Sequence, residues 1–279
     1  MKLARYGAPG NEKPGVLDAD GNLRDLSGHV ADIAPALLAD MSPLRGIDAE
    51  KLPPAPGGQR IAPCVGGIGK LICIGLNYSD HAAETGQNVP PEPIVFMKAT
   101  SAVAGAYDKI VIPRDSVKTD WEVELGVVIG KPAKYVSEEN APQHVAGYCV
   151  INDLSEREFQ TERAGQWTKG KSCDTFAPVG PYLATADEIP DPQNLRMWLD
   201  VNGDRMQDGS TATMVYGAAF LVSYLSRFMT LHSGDIISTG TPPGVGMGMK
   251  PPRFLRHGDS VVCGIENLGE QRQEVVNDN

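Results

Sequence analysis

Thr119 to Gly130 reads TDWEVELGVVIG and contains the two most suggestive carboxylates of the chain, Glu122 and Glu124. On a β-strand they would project from one face, about 7 Å apart at the backbone, close enough to converge on one cation. Trp121, Val123, Leu125 and Val127 would share the opposite face. An amphipathic strand that simply exposes two solvated glutamates has the same pattern. A metal site therefore needs a third hard oxygen ligand. Asp153 is the candidate, because it directly follows the apolar run AGYCVIN (146–152) and would stand where a strand ends. Three carboxylates suit Mg²⁺ or Mn²⁺, with Ca²⁺ as a substitute, better than Zn²⁺, which favours His and Cys.

Other residues could complete a site. His81 and Glu84, in NYSDHAAETG, are three apart on a predicted short helix, so the carboxylate can orient the imidazole as a general base. A plain surface contact has the same spacing. Lys169 and Lys171, in TKGKSCDTF, can present an ammonium to a developing anion. Thr239 and Thr241, in STGTPPGVG, offer hydroxyls and backbone N–H groups to a carboxylate. For both loops a solvated, turn-rich connection is the alternative. The glycine strings at 66–70 and 244–248 complete no P-loop and open no long helix after a strand, which argues against a nucleotide site.

The elements that must position these residues are mostly strands. Short apolar or alternating runs at 1–6, 70–75, 94–97, 105–113, 146–152, 195–201, 235–238, 257–266 and 271–276 predict strands, and turn signals at 19–22 and 202–203 predict hairpins. Helical spacing appears at 29–41, 138–145 and 155–166. The longest predicted helix is 212–231, with Met214, Ala218, Leu221, Leu225 and Phe228 as its core stripe. Residues 167–181 read as an irregular loop. No regular alternation of strands and helices appears, so the expectation is a β-rich mixed fold. Pro53-Pro54-Ala55-Pro56-Gly57-Gly58 marks a linker. It predicts a small N-terminal α+β domain over 1–68 and a catalytic domain over 69–279.

Composition narrows the function. With 41% apolar and 22% charged residues, the chain has the make-up of a soluble globular protein. Its net charge of −10 disfavours nucleic acid and anionic membrane surfaces as partners. No apolar run approaches the ~20 residues that span a bilayer. The five cysteines are widely spaced with no CxxC, and the N-terminal stretch lacks a signal-type apolar region, so the expected compartment is the cytoplasm.

In order along the chain, GLNYSDHAAE (75–84), DWEVELGVVIG (120–130), AGYCVINDLSERE (146–158), KGKSCDTFAPVGP (169–181) and ISTGTPPGVG (237–246) resemble the fumarylacetoacetate hydrolase family. The resemblance covers about residues 70–276. The N-terminal unit is similar to that of the longer bacterial members, often labelled 2,4-diketo-3-deoxy-sugar-acid hydrolase or ureidoglycolate lyase. The family implies rolled, barrel-like β-sheets, with few helices, and a homodimer. It further implies that Glu122, Glu124 and Asp153 hold the metal, and that His81 and Glu84 form the catalytic dyad, helped by Lys171. Arg157, Gln160 and Thr241 would line the substrate pocket. The implied reaction is metal-dependent hydrolysis of a carbon–carbon bond in a 2,4-diketo acid (an acylpyruvate), giving pyruvate and a carboxylic acid. A 2-oxo acid decarboxylase, a 2-hydroxymuconate-type isomerase and a ureidoglycolate lyase are alternatives on the same residues. A non-catalytic metabolite-binding protein is the alternative of another class. It would be expected to lack part of this set.

Overall fold

The computed structural model describes residues 1–80 and 90–278. Strands dominate, as the alternating runs predict. The larger sheet has ten strands. From one edge it runs Leu23–Asp25, Lys13–Leu17, Lys2–Tyr6, Leu183–Thr185, Val145–Asn152, Val123–Ile129, Ile236–Ser238, Leu71–Gly75 and Ile94–Lys98, with Ile61–Ala62 also on Lys2–Tyr6. Pairing is antiparallel except between Ile236–Ser238 and Leu71–Gly75. A five-stranded sheet runs Asp204–Ser210, Arg196–Val201, Ser260–Ile265, Gly269–Asn277 and Ile110–Ile112. Both strand orders are open-ended, so among the described residues no sheet closes into a barrel.

The glutamate strand Val123–Ile129 lies inside the large sheet and is buried along its whole length. Its two faces meet different apolar clusters. Trp121, Val123, Leu125 and Val127 pack with Leu199, Met197 and Val261 of the five-stranded sheet. Val128 joins Leu71, Cys73, Cys149 and Ile151 on the other side. A Cβ on Gly126 would lie 2.8 Å from both Cys149 Sγ and Ile151 Cδ1, so glycine is what lets those side chains cross the strand. Apolar cover on both faces is the reason Glu122 and Glu124 are buried and not solvated.

Residues 1–68, expected to form a unit of their own, share the large sheet and one core with the rest. Lys2–Tyr6 pairs with Leu183–Thr185, and Leu3, Val16, Ile33 and Leu38 pack with Leu71, Val128 and Leu183. The helix expected over 29–41 is only Pro35–Ala39, and that over 138–145 is the 3₁₀ turn Ala141–His144. The helix expected over 212–231 is also shorter, Ala218–Ser226. Asn77 explains its late start. Its carbonyl and side-chain oxygens take the N–H groups of Val215 and Tyr216, both at 2.8 Å, and hold that backbone extended. Phe228, expected in the core stripe, is 62% exposed beyond the helix end. Strands Asp204–Ser210 and Leu183–Thr185 were not legible in the alternation. Among the described residues no helix is long and apolar enough to cross a membrane.

One buried side chain ties the two sheets together beside the glutamates. Gln207 of the five-stranded sheet accepts from Val123 N–H at 2.9 Å and donates at 2.8 Å to both Thr241 Oγ1 and the Pro242 carbonyl. It is fully buried. Gln207→Leu would keep the bulk but strand these groups without water, at about 1–3 kcal/mol for each one left unpaired. The expected result is a loss of roughly 3 kcal/mol in urea unfolding. A midpoint unchanged from the parent protein would show that the bridge carries no stability.

Candidate active site

Among the described residues, six separate segments build the site: 74–76, 96–98, 120–124, 152–161, 167–171 and 238–247. Asp153 follows the strand Val145–Asn152, and its N–H donates to the Glu122 carbonyl at 2.8 Å, while the Glu122 N–H donates to Asn152 Oδ1 at 3.1 Å. These bonds fix the two carboxylate-bearing backbones against each other. Oxygen atoms of Glu122, Glu124 and Asp153 lie within 4.8 Å of one another, and all three residues are buried. The solvated-glutamate alternative is therefore excluded. With Asp153, the strand supplies the hard-oxygen cluster that the sequence pointed to.

Three cations face this cluster. Lys171 sits on the short helix Thr168–Lys171, inside what was expected to be an irregular loop. A Cβ on Gly170 would overlap the Glu156 carbonyl oxygen, so glycine is required for this helix to seat where it does. Lys171 Nζ lies 2.5 Å from Glu122 Oε2, 2.8 Å from Asp153 Oδ2, and 4.9 Å above the Phe96 ring. Arg157 donates through Nη2 to Glu122 Oε1 at 2.8 Å, through Nε to Asp120 Oδ2 at 2.8 Å, and through Nη1 to Gln160 Oε1 at 3.1 Å. Lys98, at the end of the edge strand, lies 2.5 Å from Asp153 Oδ1 and donates to the Leu154 carbonyl at 2.8 Å.

Glu124 is different. It accepts only from neutral donors, Ser238 Oγ at 2.6 Å and Gly240 N–H at 2.9 Å, and pairs with no cation among the described residues. Gly240 has φ +97°, and a Cβ there would meet Asn77 Cβ at 2.9 Å, so glycine is needed to aim that N–H. Burial, with Asp153 and Glu122 nearby, pushes the Glu124 carboxyl well above the usual carboxylate range. Burial acts the same way on Glu122, but Arg157 and Lys171 override it and hold that carboxyl well below the usual range. Burial disfavours the Lys171 ammonium, and the Asp153 and Glu122 carboxylates more than compensate, raising its pKa. A buried carboxylate without a cation, converging with two others on one point, is the donor set a hard divalent ion fits.

The cluster opens into a cavity of about 110 Å³. Arg157, Gln160, Thr241 and Lys171 line it with the three carboxylates. The pairings differ from the sequence reading. Lys171, expected to help the dyad, engages carboxylates, and the oxygen of Gln160, expected to line the pocket, is taken by Arg157. Thr241 Oγ1 is tied to the Val123 carbonyl at 2.9 Å. Thr239 is buried against the Leu125 carbonyl, and Lys169 turns outward to the Arg163 carbonyl. His81 and Glu84 lie outside the described residues.

Two functional positions escaped the sequence reading. Asp120 accepts from Arg157 and from the Gly246 and Met247 N–H groups at 2.7 and 3.0 Å, joining the guanidinium to the loop that closes the cavity. Its signal was present, since Asp120 continues the alternation of Glu122 and Glu124. Lys98 had almost none, being one lysine at the end of an apolar strand.

The family described as Fumarylacetoacetate (FAA) hydrolase C-terminal matches residues 70–276, and the chain belongs to this family. A Burkholderia multivorans protein, provisionally named a hydrolase, is 61% identical over 276 residues, 98% of each chain. A Mycobacterium abscessus structure, provisionally assigned as a 2-hydroxyhepta-2,4-diene-1,7-dioate isomerase, superposes with a TM-score of 0.85 at 33% identity, covering all of both chains. The maleylpyruvate hydrolase of Sphingobium sp. SYK-6, solved with manganese(II) and pyruvate, gives 0.81 at 29%, again over all of both chains. The chain is thus a β-rich enzyme of a family of hydrolases and isomerases, with an acidic triad able to bind a metal.

The raised pKa of Glu124 gives a signed test. Between the ordinary carboxylate range and its raised value, Glu124 holds a proton that must leave before it can ligate. Mn²⁺ binding to metal-stripped protein should therefore release protons and tighten as pH rises through that interval. Calorimetry in buffers of different ionisation heat would read both, and Glu124→Ala should abolish the binding. Identical heats in all buffers would mean that Glu124 enters the site already ionised.

Proposed function

We propose that this chain is a divalent-metal-dependent hydrolase that cleaves a carbon–carbon bond of a 2,4-diketo acid, releasing pyruvate and a carboxylic acid. One observation carries the reading: the buried carboxylates of Glu122, Glu124 and Asp153 share a cavity with the Lys171 ammonium. The match to a maleylpyruvate hydrolase solved with manganese(II) and pyruvate supports it. Mg²⁺ or Mn²⁺ is the cation of this reading, held by those three residues. When bound, it supplies the Lewis acidity that makes a pyruvate enolate an acceptable leaving group.

The chain's own residues do the rest. His81, oriented by Glu84, takes a proton from water as the water oxygen bonds to the C4 carbonyl. Lys171 donates to the oxygen that becomes negative there. The C3–C4 bond then breaks, its electron pair passes to the pyruvate fragment, and C3 is protonated. Phe96 and Trp167, whose rings meet edge to face at 5.2 Å, line the cavity beside this step. The same carboxylates with a proton shuttle would support isomerisation of an unsaturated oxo acid, the reading favoured by the Mycobacterium abscessus match. His81 and Glu84, both present in the chain, favour water activation. A homodimer belongs to the same reading. The strand Ile94–Lys98 ends the large sheet with Val95 and Met97 exposed, suited to cover by a second copy.

Incubation with an acylpyruvate tests the reaction. Pyruvate should appear, should stop after chelation, and should return with Mn²⁺ or Mg²⁺. An isomer of the substrate with no pyruvate would select the isomerase. Lys171→Met should lower kcat by roughly 10²-fold with a modest change in KM, since the substrate oxygen it is proposed to stabilise becomes negative only in the transition state. A raised KM with kcat preserved would reassign Lys171 to gripping the substrate.

A further inference from the structure

Resting on the hydrolytic reading, we propose that the acyl half of the substrate is uncharged, so that the enzyme selects monocarboxylate 2,4-diketo acids over those with a second, distal carboxylate. Besides the acidic cluster, the lining is largely apolar and aromatic: Leu76, Phe96, Trp167, Val245 and Met247. The only basic side chains lining the cavity among the described residues are Arg157 and Lys171. Both already serve partners around the acidic cluster. All three Arg157 nitrogens are engaged, by Asp120, Glu122 and Gln160. Lys171 is held by Glu122 and Asp153 at the acidic end.

Nearby basic residues are also committed. Lys98 is buried against Asp153 and the Leu154 carbonyl. Lys169 donates to the Arg163 carbonyl at 2.5 Å, and Arg163 itself pairs with Glu158. Residues 81–89 read HAAETGQNV and contain neither Lys nor Arg. A distal carboxylate would thus lose its water against an apolar lining with no unpaired cation among the described residues in return. Gln160 and Thr161, also on the lining, can bond a neutral hydroxyl or carbonyl on the acyl group. By their names, maleylpyruvate hydrolase and the heptadienedioate isomerase take dicarboxylates, so this selectivity would separate the chain from both.

The test uses the Mn²⁺-loaded protein with a matched pair, 4-methylpentanoylpyruvate and succinylpyruvate, which differ in a terminal isopropyl group against a carboxylate. The neutral acid should have a kcat/KM at least ~100-fold higher. The affinities of the two acids, read by calorimetry, should fall in the same order. Equal or better use of succinylpyruvate would overturn the proposal. If neither acid is cleaved, the hydrolytic reading fails, and the affinities alone still decide the charge preference. Met247→Arg places a guanidinium at the half-exposed rim while leaving the backbone N–H on Asp120. It should narrow the ratio at least ~10-fold, on the scale of one regained charge-assisted bond. An unchanged ratio would mean that a missing cation is not the cause, which also overturns the proposal.

Discussion

Repulsion among three buried carboxylates is the constraint on which the rest of the structure depends. Two unit charges 4 Å apart interact by about 4 kcal/mol at an effective dielectric of 20. Glu122, Glu124 and Asp153 have oxygens within 4.8 Å in a cleft with little water. Such a cluster persists only if positive charge is brought to it. The chain brings three cations from three different elements: Lys98 from an edge strand, Arg157 from the turn after Ser155–Glu156, and Lys171 from a four-residue helix. Removing one partner would leave a buried charge uncompensated, which is costlier than the pair was worth. Fold and site therefore answer to one electrostatic condition.

The backbone around the cluster is correspondingly fixed. The glutamate strand has a sheet neighbour on each side and apolar cover on each face. Gln207 clamps its start to the Thr241 loop, and Asn77 clamps that loop's Thr239 carbonyl, at 2.7 Å, to the segment before the longest helix. Gly240 then has a single useful orientation, with its N–H on Glu124. Glu124, whose proton must leave before it can ligate, is held in place by neutral dipoles, which orient it without supplying a counter-charge. This is how one site can keep Glu124 both ordered and electrostatically unsatisfied.

What could be read from sequence followed from period and position. Alternation along 119–130 revealed the strand and its carboxylate face, and an aspartate after an apolar run revealed the third oxygen donor. Strand existence was legible almost throughout because each run packs on a core. Helix lengths were not, since Asn77, remote in sequence, decides where the last helix begins. The strand Asp204–Ser210 is polar, with only Gln207 fully buried, and is made by its neighbour's hydrogen bonds rather than by its own pattern. Asp120 was overlooked although it shares the glutamates' alternation. Lys98 was invisible because its role exists only through a partner 55 residues away. His81 and Glu84 lie outside the described residues, so their part in the site still rests on the sequence.

The two lysines are not equivalent, and their surroundings say which one can act on substrate. Lys98 is fully buried, and its ammonium serves the Leu154 carbonyl as well as Asp153 Oδ1. Withdrawing it would strand a buried carbonyl along with a carboxylate oxygen, so it is a fixed counter-charge that sets the direction of Asp153. Lys171 has no backbone acceptor among the described residues. Its contacts are Glu122 Oε2, Asp153 Oδ2 and the face of Phe96, and it lines the cavity directly. Glu122, Glu124 and Asp153 would hold a cation, and Lys171 now donates to oxygens of two of them whereas Lys98 donates to one. The ammonium that ligation would loosen is thus the one already facing the cavity, and it has the shorter, glycine-seated support. Charge neutralisation and the proposed catalytic role then fall to different lysines: one tied to a backbone carbonyl, and one that lines the cavity.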